Sequence, residues 1–188
     1  FGVSITTPEV SSEKATVKIV TTVGNKTPKQ AEIKLVTRIL DAASKEVTKT
    51  ESVFTLGTEN TENTKQVVLV DKPGLWSVET PVLYKAVTEV YADGKLCDKT
   101  ETLFGIRSIT FSVDKGFHLN GKTMELKGGC VHHDNGPLGA KAYDRAEERR
   151  IELLKASGYN AVRCSHNPPS PAFLAACDKL GMLVIDEA

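Results

Sequence analysis

The strongest constraint on this chain is a change of hydrophobic period part-way along it. Up to about residue 110, apolar or β-branched residues recur at every second position, the mark of half-buried strands. After Phe111 the pattern becomes helical stretches alternating with short apolar runs. One segment cannot satisfy a period of two and a period of 3.6 at once, so two kinds of architecture must follow one another.

The first pattern is read at Val17, Ile19, Thr21 and Val23, and again at Ile33, Leu35, Thr37 and Ile39. Val47 to Phe54, Gln66 to Val70, Leu83 to Tyr91 and Leu96 to Phe104 read as further strands, with Leu83 to Tyr91 the longest. Gly24-Asn25-Lys26-Thr27-Pro28, Asp41 to Lys45 and Asp71-Lys72-Pro73-Gly74 are turn chemistry, and Asp93-Gly94 predicts a type I′ hairpin. About seven strands with turns every ~8–12 residues predict an antiparallel sandwich of immunoglobulin type over residues 1–110. No Cys…Trp…Cys spacing accompanies it. Asn25-Lys26-Thr27 matches a glycosylation sequon, and a polar turn explains it equally well.

The second pattern opens with a hairpin at Asn120-Gly121, followed by a strand from Glu125 to Val131. Asp144 precedes Glu147 by three residues, as in a capping box, and Ala146, Arg150/Ile151, Leu154 and Ser157 share a helical face that stops at Gly158. A strand from Asn160 to Arg163 follows. Ser170-Pro171 then starts a helix with Phe173, Ala176/Cys177 and Leu180 on one face, ending at Gly181. Met182 to Ile185 is a continuous apolar strand, as expected when both faces are covered. Hairpin, β, α, β, α, β implies parallel strands joined by crossovers. A complete (β/α)8 barrel needs ~250 residues. Residues 111–188 are therefore expected to be the N-terminal portion of a TIM barrel, about three strands and two helices, from a larger enzyme.

Composition narrows function. With 40% hydrophobic residues and 24 basic against 24 acidic side chains, the chain is neither disordered nor a polyelectrolyte. Charge balance leaves no footprint for nucleic acid or an anionic membrane surface. No stretch approaches ~18 apolar residues, so no spanning helix is expected. The start, Phe1-Gly2-Val3-Ser4, shows no signal peptide, and the true start is expected upstream. Cys97, Cys130, Cys164 and Cys177 form no C-x-x-C pair, so four reduced and mostly buried thiols are expected.

Polar residues gather where each parallel strand finishes: His132, His133 and Asp134; then Arg163, Cys164, Ser165, His166 and Asn167; then Asp186 and Glu187. Such ends share one mouth of a barrel, where active sites form. Capping of the following helices is the alternative explanation. A metal site at His132, His133, Asp134 and His166 is disfavoured, because adjacent strand residues point to opposite faces and no H-x-x-x-H or H-x-H spacing exists. No metal or cofactor is expected in this chain. His118 belongs to the hairpin and reads as a surface or packing residue. Asp186 and Glu187 diverge along a strand, so they cannot both flank one glycosidic bond. Glu187 reads as a structural acid and Asp186 as an acceptor for a sugar hydroxyl.

Five stretches carry a likeness: Leu75-Trp76 with Pro81, Leu83 and Tyr84; Phe104-Gly105-Ile106-Arg107; FHLNGKTMELKGGCVHHD over 117–134; NAVRCSHNP over 160–168; and the closing VIDEA. At these residues the chain resembles glycoside hydrolase family 2, and within it the bacterial β-galactosidases. The resemblance implies a retaining hydrolysis of terminal β-D-galactosides in which one glutamate serves as acid/base and another as nucleophile. Both glutamates would come from later barrel strands, outside these 188 residues, so no catalytic residue lies in this chain. It further implies that His133 and His166 contact sugar hydroxyls and support the transition state. Arg163 would pair with the nucleophilic carboxylate, Asp186 would lie near the pocket floor, and Asn167 stands where a Tyr is frequent. Val131 stands where an Asn is common. β-Glucuronidase and β-mannosidase are alternatives within the family, and a non-catalytic carbohydrate-binding sandwich is an alternative outside it. The expected ligand is a β-galactoside or related oligosaccharide, with no nucleic acid and no membrane as partner. The compartment of the bacterial parent, periplasm or cytoplasm, is left open. Bare edge residues Phe111, Met182, Leu183, Val184 and Ile185 lead to an expected homo-oligomer through the partial barrel.

Overall fold

The computed structural model describes residues 2–187. They fall into two compact units, one made of the residues through Gly74 together with Leu83–Ser108, the other of Leu75–Val82 with the residues from Ile109 onward.

The first unit is an immunoglobulin-like antiparallel sandwich. One sheet has the order β1 (Val3–Val10), β2 (Lys14–Gly24), β5 (Thr61–Asp71). The other runs β4 (Glu46–Leu56), β3 (Ala31–Leu40), β6 (Tyr84–Ala92), β7 (Lys95–Phe104). Alternation places Ala15, Val17, Ile19 and Val23 of β2 against Ile33, Leu35 and Ile39 of β3, and all of these are buried. The core carries polar groups as well. Thr37 Oγ1 donates to Gln66 Oε1 at 2.7 Å across the two sheets, and Gln66 Nε2 donates to Leu35 O at 3.3 Å and Ser52 Oγ at 3.1 Å. Pairing of this kind offsets the desolvation that an orphaned amide would suffer.

Several details differ from the sequence reading. Strand β1 is an addition. Pro8 sits in its register shift between Thr6 and Glu9, and a residue without an N–H is tolerated there because β1 is an edge strand. Strand β6 has 9 residues, shorter than the 11 of β2, β4 and β5. Asp93 and Gly94 both have positive φ, as a type I′ turn requires. Asn25 is buried: its amide donates to Lys29 O, Leu56 O and Gly57 O, while its Oδ1 accepts from Thr27 N and Thr27 Oγ1. The polar-turn reading of the sequon therefore describes what this side chain does.

The second unit begins with a small antiparallel sheet, β10 (Lys122–Thr123), β9 (Gly116–Leu119), β8 (Ile109–Ser112), closed by the Asn120–Gly121 turn. It continues as the start of a TIM barrel. Parallel strands β11 (Gly128–Val131), β12 (Ala161–Cys164) and β13 (Leu183–Ile185) lie in that order, with α1 (Asp144–Ala156) and α2 (Pro171–Leu180) as crossovers. The three strands do not close into a barrel. Ile151, Val162, Cys164, Phe173, Ala176, Cys177 and Met182 form the core between sheet and helices. Gly128 is required where β11 meets β12, because a Cβ there would stand 1.8 Å from Ala161 O.

Ser170 caps α2 as expected: Phe173 N donates to Ser170 Oγ at 3.2 Å. The capping box on α1 does not form. Tyr143 is the N-cap and makes no side-chain cap bond, Asp144 is the first helical residue, and Glu147 turns inward to other partners. Of the residues expected to be bare, Phe111 and Ile185 are exposed, whereas Met182 and Leu183 are buried and Val184 is partly buried. Met182 and Val184 belong to the helix-covered core.

The segment Leu75–Val82 packs with the second unit. Trp76 is buried, its Nε1 donates to Asp178 O at 2.8 Å, and its own carbonyl accepts from Asn120 Nδ2 at 3.0 Å. Lys155 Nζ donates to Val78 O at 2.6 Å and Gly181 O at 2.8 Å. Gly181 caps α2 with φ 74° and approaches Val78 so closely that a Cβ would lie 2.4 Å from Val78 O. No helix among the described residues is long and apolar enough to cross a membrane.

Candidate active-site residues at the strand ends

In a parallel sheet alternate residues face opposite sides. Val162 and Cys164 of β12 face the helices. Arg163 therefore faces the other side, in register with Cys130 of β11 and Ile185 of β13, and all three are exposed. Beyond the strands the backbone releases polar side chains at one end of the sheet.

Two clusters form there. In one, Arg163 Nη2 pairs with Glu187 Oε1, and Glu187 Oε2 lies 3.3 Å from His166 Nδ1. A single partly buried carboxylate thus holds a guanidinium from β12 and an imidazole from the loop after it. In the other, Asn167 Nδ2 donates to His133 Nδ1 at 2.6 Å. An accepting Nδ1 leaves the proton of a neutral imidazole on Nε2, which then serves as a donor to a ligand oxygen. The His132 and His166 rings stand 5.8 Å apart and tilted.

Four of the residues expected at the site, His133, Arg163, His166 and Asn167, are thus brought to one end of the sheet in paired contacts. Asp186 is exposed, and the acid that reaches the cluster is its neighbour Glu187. Cys130 was unmarked in the sequence apart from its place among the thiols. It lies 3.5 Å from Arg163 Nη1, and the Ser165 hydroxyl and the Arg163 guanidinium hold its thiol below the usual range. The other three thiols divide: Cys97 is exposed, while Cys164 and Cys177 are buried, and burial pushes both of their thiols up, Cys177 very far. All four are free. Glu147 and Arg150 also belong to this end of the sheet. In the sequence they look like an ordinary i, i+3 helix pair, and only an acid at a core-facing helix position hinted otherwise.

Chemically the arrangement is a set of hydrogen-bond donors and one fixed carboxylate, carried on rigid elements at the end of the sheet and on the side away from the helices. It suits an oxygen-rich ligand.

Known proteins share this fold. The family model described as Glycosyl hydrolases family 2 matches residues 3–107, and the one described as Glycosyl hydrolases family 2, TIM barrel domain, matches residues 112–188. The chain is 38% identical to Beta-galactosidase BoGH2A of Bacteroides ovatus over 193 aligned positions, which cover 100% of this chain and 22% of that protein. It superposes on the crystal structure of a glycosyl hydrolase family 2 member from Bacteroides cellulosilyticus with a TM-score of 0.95 and 50% identity, over 100% of this chain and 26% of that one. Bacteroides uniformis beta-glucuronidase 2, solved covalently bound to cyclophellitol-6-carboxylate aziridine, gives a TM-score of 0.91 at 35% identity, over 97% of this chain and 22% of that one. The chain thus spans about a quarter of the length of these relatives.

Proposed function

Because the chain belongs to glycosyl hydrolases family 2, we propose that it is the sandwich and first barrel strands of a retaining β-glycosidase acting on terminal β-D-galactosides. The observation that carries this reading is the meeting of the His133–Asn167 and Arg163–Glu187–His166 contacts at the ends of adjacent parallel strands. In this reading His133 and His166 bind hydroxyls of the sugar. Their bonds strengthen as positive charge and planarity develop at the ring in the transition state. Arg163 adds a fixed positive charge beneath the sugar, where it keeps a nucleophilic carboxylate ionised. Asn167 and Glu187 orient the two imidazoles. Two glutamates from later barrel strands, outside these 188 residues, perform acid/base and nucleophilic catalysis.

A galactoside is taken as the substrate in preference to a glucuronide. The relative named a β-galactosidase supports the same choice, and the relative named a β-glucuronidase supports the other. The test is a comparison of kcat/KM for p-nitrophenyl β-D-galactoside and β-D-glucuronide with the intact protein. Faster turnover of the galactoside is expected. Preference for the glucuronide would overturn the substrate assignment, and turnover of no β-glycoside would overturn the reaction. The 188-residue chain alone is expected to hydrolyse neither.

A further inference from the structure

Both residues of the α1 pair are deeply placed. Glu147 is 5% exposed, and the Arg150 side chain 16% exposed, with Arg150 Nη1 4.0 Å from Glu147 Oε1. Ionised groups at such depth need several partners to offset lost hydration. Here the partners come from two loops. From the loop after β11, His132 O accepts from Arg150 Nη1 at 2.9 Å. Asp134 O accepts from Arg150 Nη2, and Asn135 Oδ1 accepts from the same nitrogen at 2.5 Å. Asn135 then returns a bond, its Nδ2 donating to Glu147 Oε1 at 3.0 Å. From the loop after β12, Ser170 Oγ lies 3.5 Å from Glu147 Oε2. Ser170 is also the N-cap of α2, so the start of that helix is fixed by the same carboxylate.

The two loops held in this way are the ones that carry His133 and His166–Asn167. His133 stands between His132 and Asp134, both of whose carbonyls are bound by one planar guanidinium. With both flanking carbonyls fixed, the backbone that carries His133 has little freedom to move, and the Asn167 contact then orients the ring. The His133–Asn167 contact joins the two loops on the outer side, and Glu147 joins them on the inner side.

We propose that Glu147 and Arg150 are positioning residues, a buried latch on α1 that sets the mutual placement of His133, His166 and Asn167. The consequence for catalysis rests on the glycosidase reading above, whereas the geometric role does not. Arginine is needed for its fork, because an ammonium cannot serve three acceptors spread over the loop in one plane. Glutamate is needed for its charge and two acceptor oxygens, because an amide turns one of them into a donor.

The test uses Arg150→Lys and Glu147→Gln, the second of which preserves shape, in the intact protein. Histidine ring NMR supplies a readout with an internal control, since His118 lies in the β9 hairpin. In both variants the His132, His133 and His166 ring signals are expected to shift or broaden while His118 stays put and thermal unfolding remains cooperative. With an aryl β-galactoside, Arg150→Lys is expected to lower kcat/KM by on the order of tenfold to a hundredfold, mainly through kcat, as a misplaced catalytic contact does. In a His133→Ala background the same substitution should cost much less, because the residue it acts through is gone. Unchanged histidine signals, an equal change at His118, or full additivity with His133→Ala would each overturn the latch. If the intact protein hydrolyses no β-glycoside, the glycosidase reading fails on that result, and the histidine spectra alone decide whether the latch exists.

Discussion

The sandwich and the βα unit use polar residues in opposite ways. In the sandwich they are turned on one another. Thr37 and Gln66 bond between the sheets, Asn25 satisfies a turn, and Arg38 pairs with Glu89 at 2.6 Å while Tyr91 Oη donates to the same carboxylate at 3.0 Å. In the βα unit one side of the sheet is sealed by the helices, and the other presents Cys130, Arg163 and Glu187, with His133 and His166 at its end. Polar groups that are spent on folding leave nothing for a ligand. Groups held at strand ends by a rigid apolar layer remain available to one, and that contrast separates scaffold from site here.

The contrast can be broken most sharply at the thiols. Iodoacetamide should modify Cys97 and Cys130 in the 188-residue chain, with Cys130 the faster of the two near neutral pH because its thiol is held below the usual range. Cys164 and Cys177 should react only through opening of the helix-covered core, slower by a factor of roughly a thousand or more. Peptide mass mapping over time reads all four rates. Rapid labelling of Cys164 would show that the layer beneath the site is not closed.

Next in size are substitutions in the two cores. Phe173→Ala empties the centre of the helix-covered core and should destabilise the βα unit by about 3–5 kcal/mol. Gln66→Ala leaves Thr37 without its acceptor and should destabilise the sandwich by about 1–3 kcal/mol. Scanning calorimetry is expected to show each variant lowering a different part of the unfolding profile. The smallest effect concerns Glu51, whose carboxyl is held down to about 2 by the Lys34 and Lys49 ammoniums. A depressed folded-state value means stability that is present above the unfolded carboxylate value of about 4.3 and lost as pH falls towards 2. The urea midpoints of the protein and its Glu51→Gln variant should therefore differ slightly at neutral pH and converge by pH 2. Both partners are exposed, so the difference should be small.

How far the sequence could be read follows the same division. Alternation was clear in β2 and β3 because one face of each is apolar and the other polar. Strand β1 was hidden by Pro8, which argues against a strand in general but not against an edge strand. The helix stops at Gly158 and Gly181 and the cap at Ser170 were legible because each is a local event. The Asp144–Glu147 capping box was not, since Glu147 finds better partners in Asn135 and Ser170, residues near in space and distant in sequence. Glu187 reads from the sequence as a structural acid, which its contacts with Arg163 and His166 match, but the side it faces is not legible there. Met182 to Ile185 is apolar at every position, so it carries no alternation from which to tell which of the two acids falls on the side of Arg163. The gathering of His133, Arg163, His166 and Asn167 was foreseen from strand ends. Their pairing was not, because register between parallel strands leaves no mark on a single strand.

The central claim is that these strand-end residues hold a sugar during retaining hydrolysis. A crystal structure of the intact protein with a mechanism-based galactosyl inhibitor tests it most directly. The account predicts a glycosyl-enzyme bond to a glutamate outside these residues, with His133 and His166 in hydrogen-bond contact with the sugar and Arg163 against the attached carboxylate. A sugar bound away from the ends of β11, β12 and β13 would contradict it.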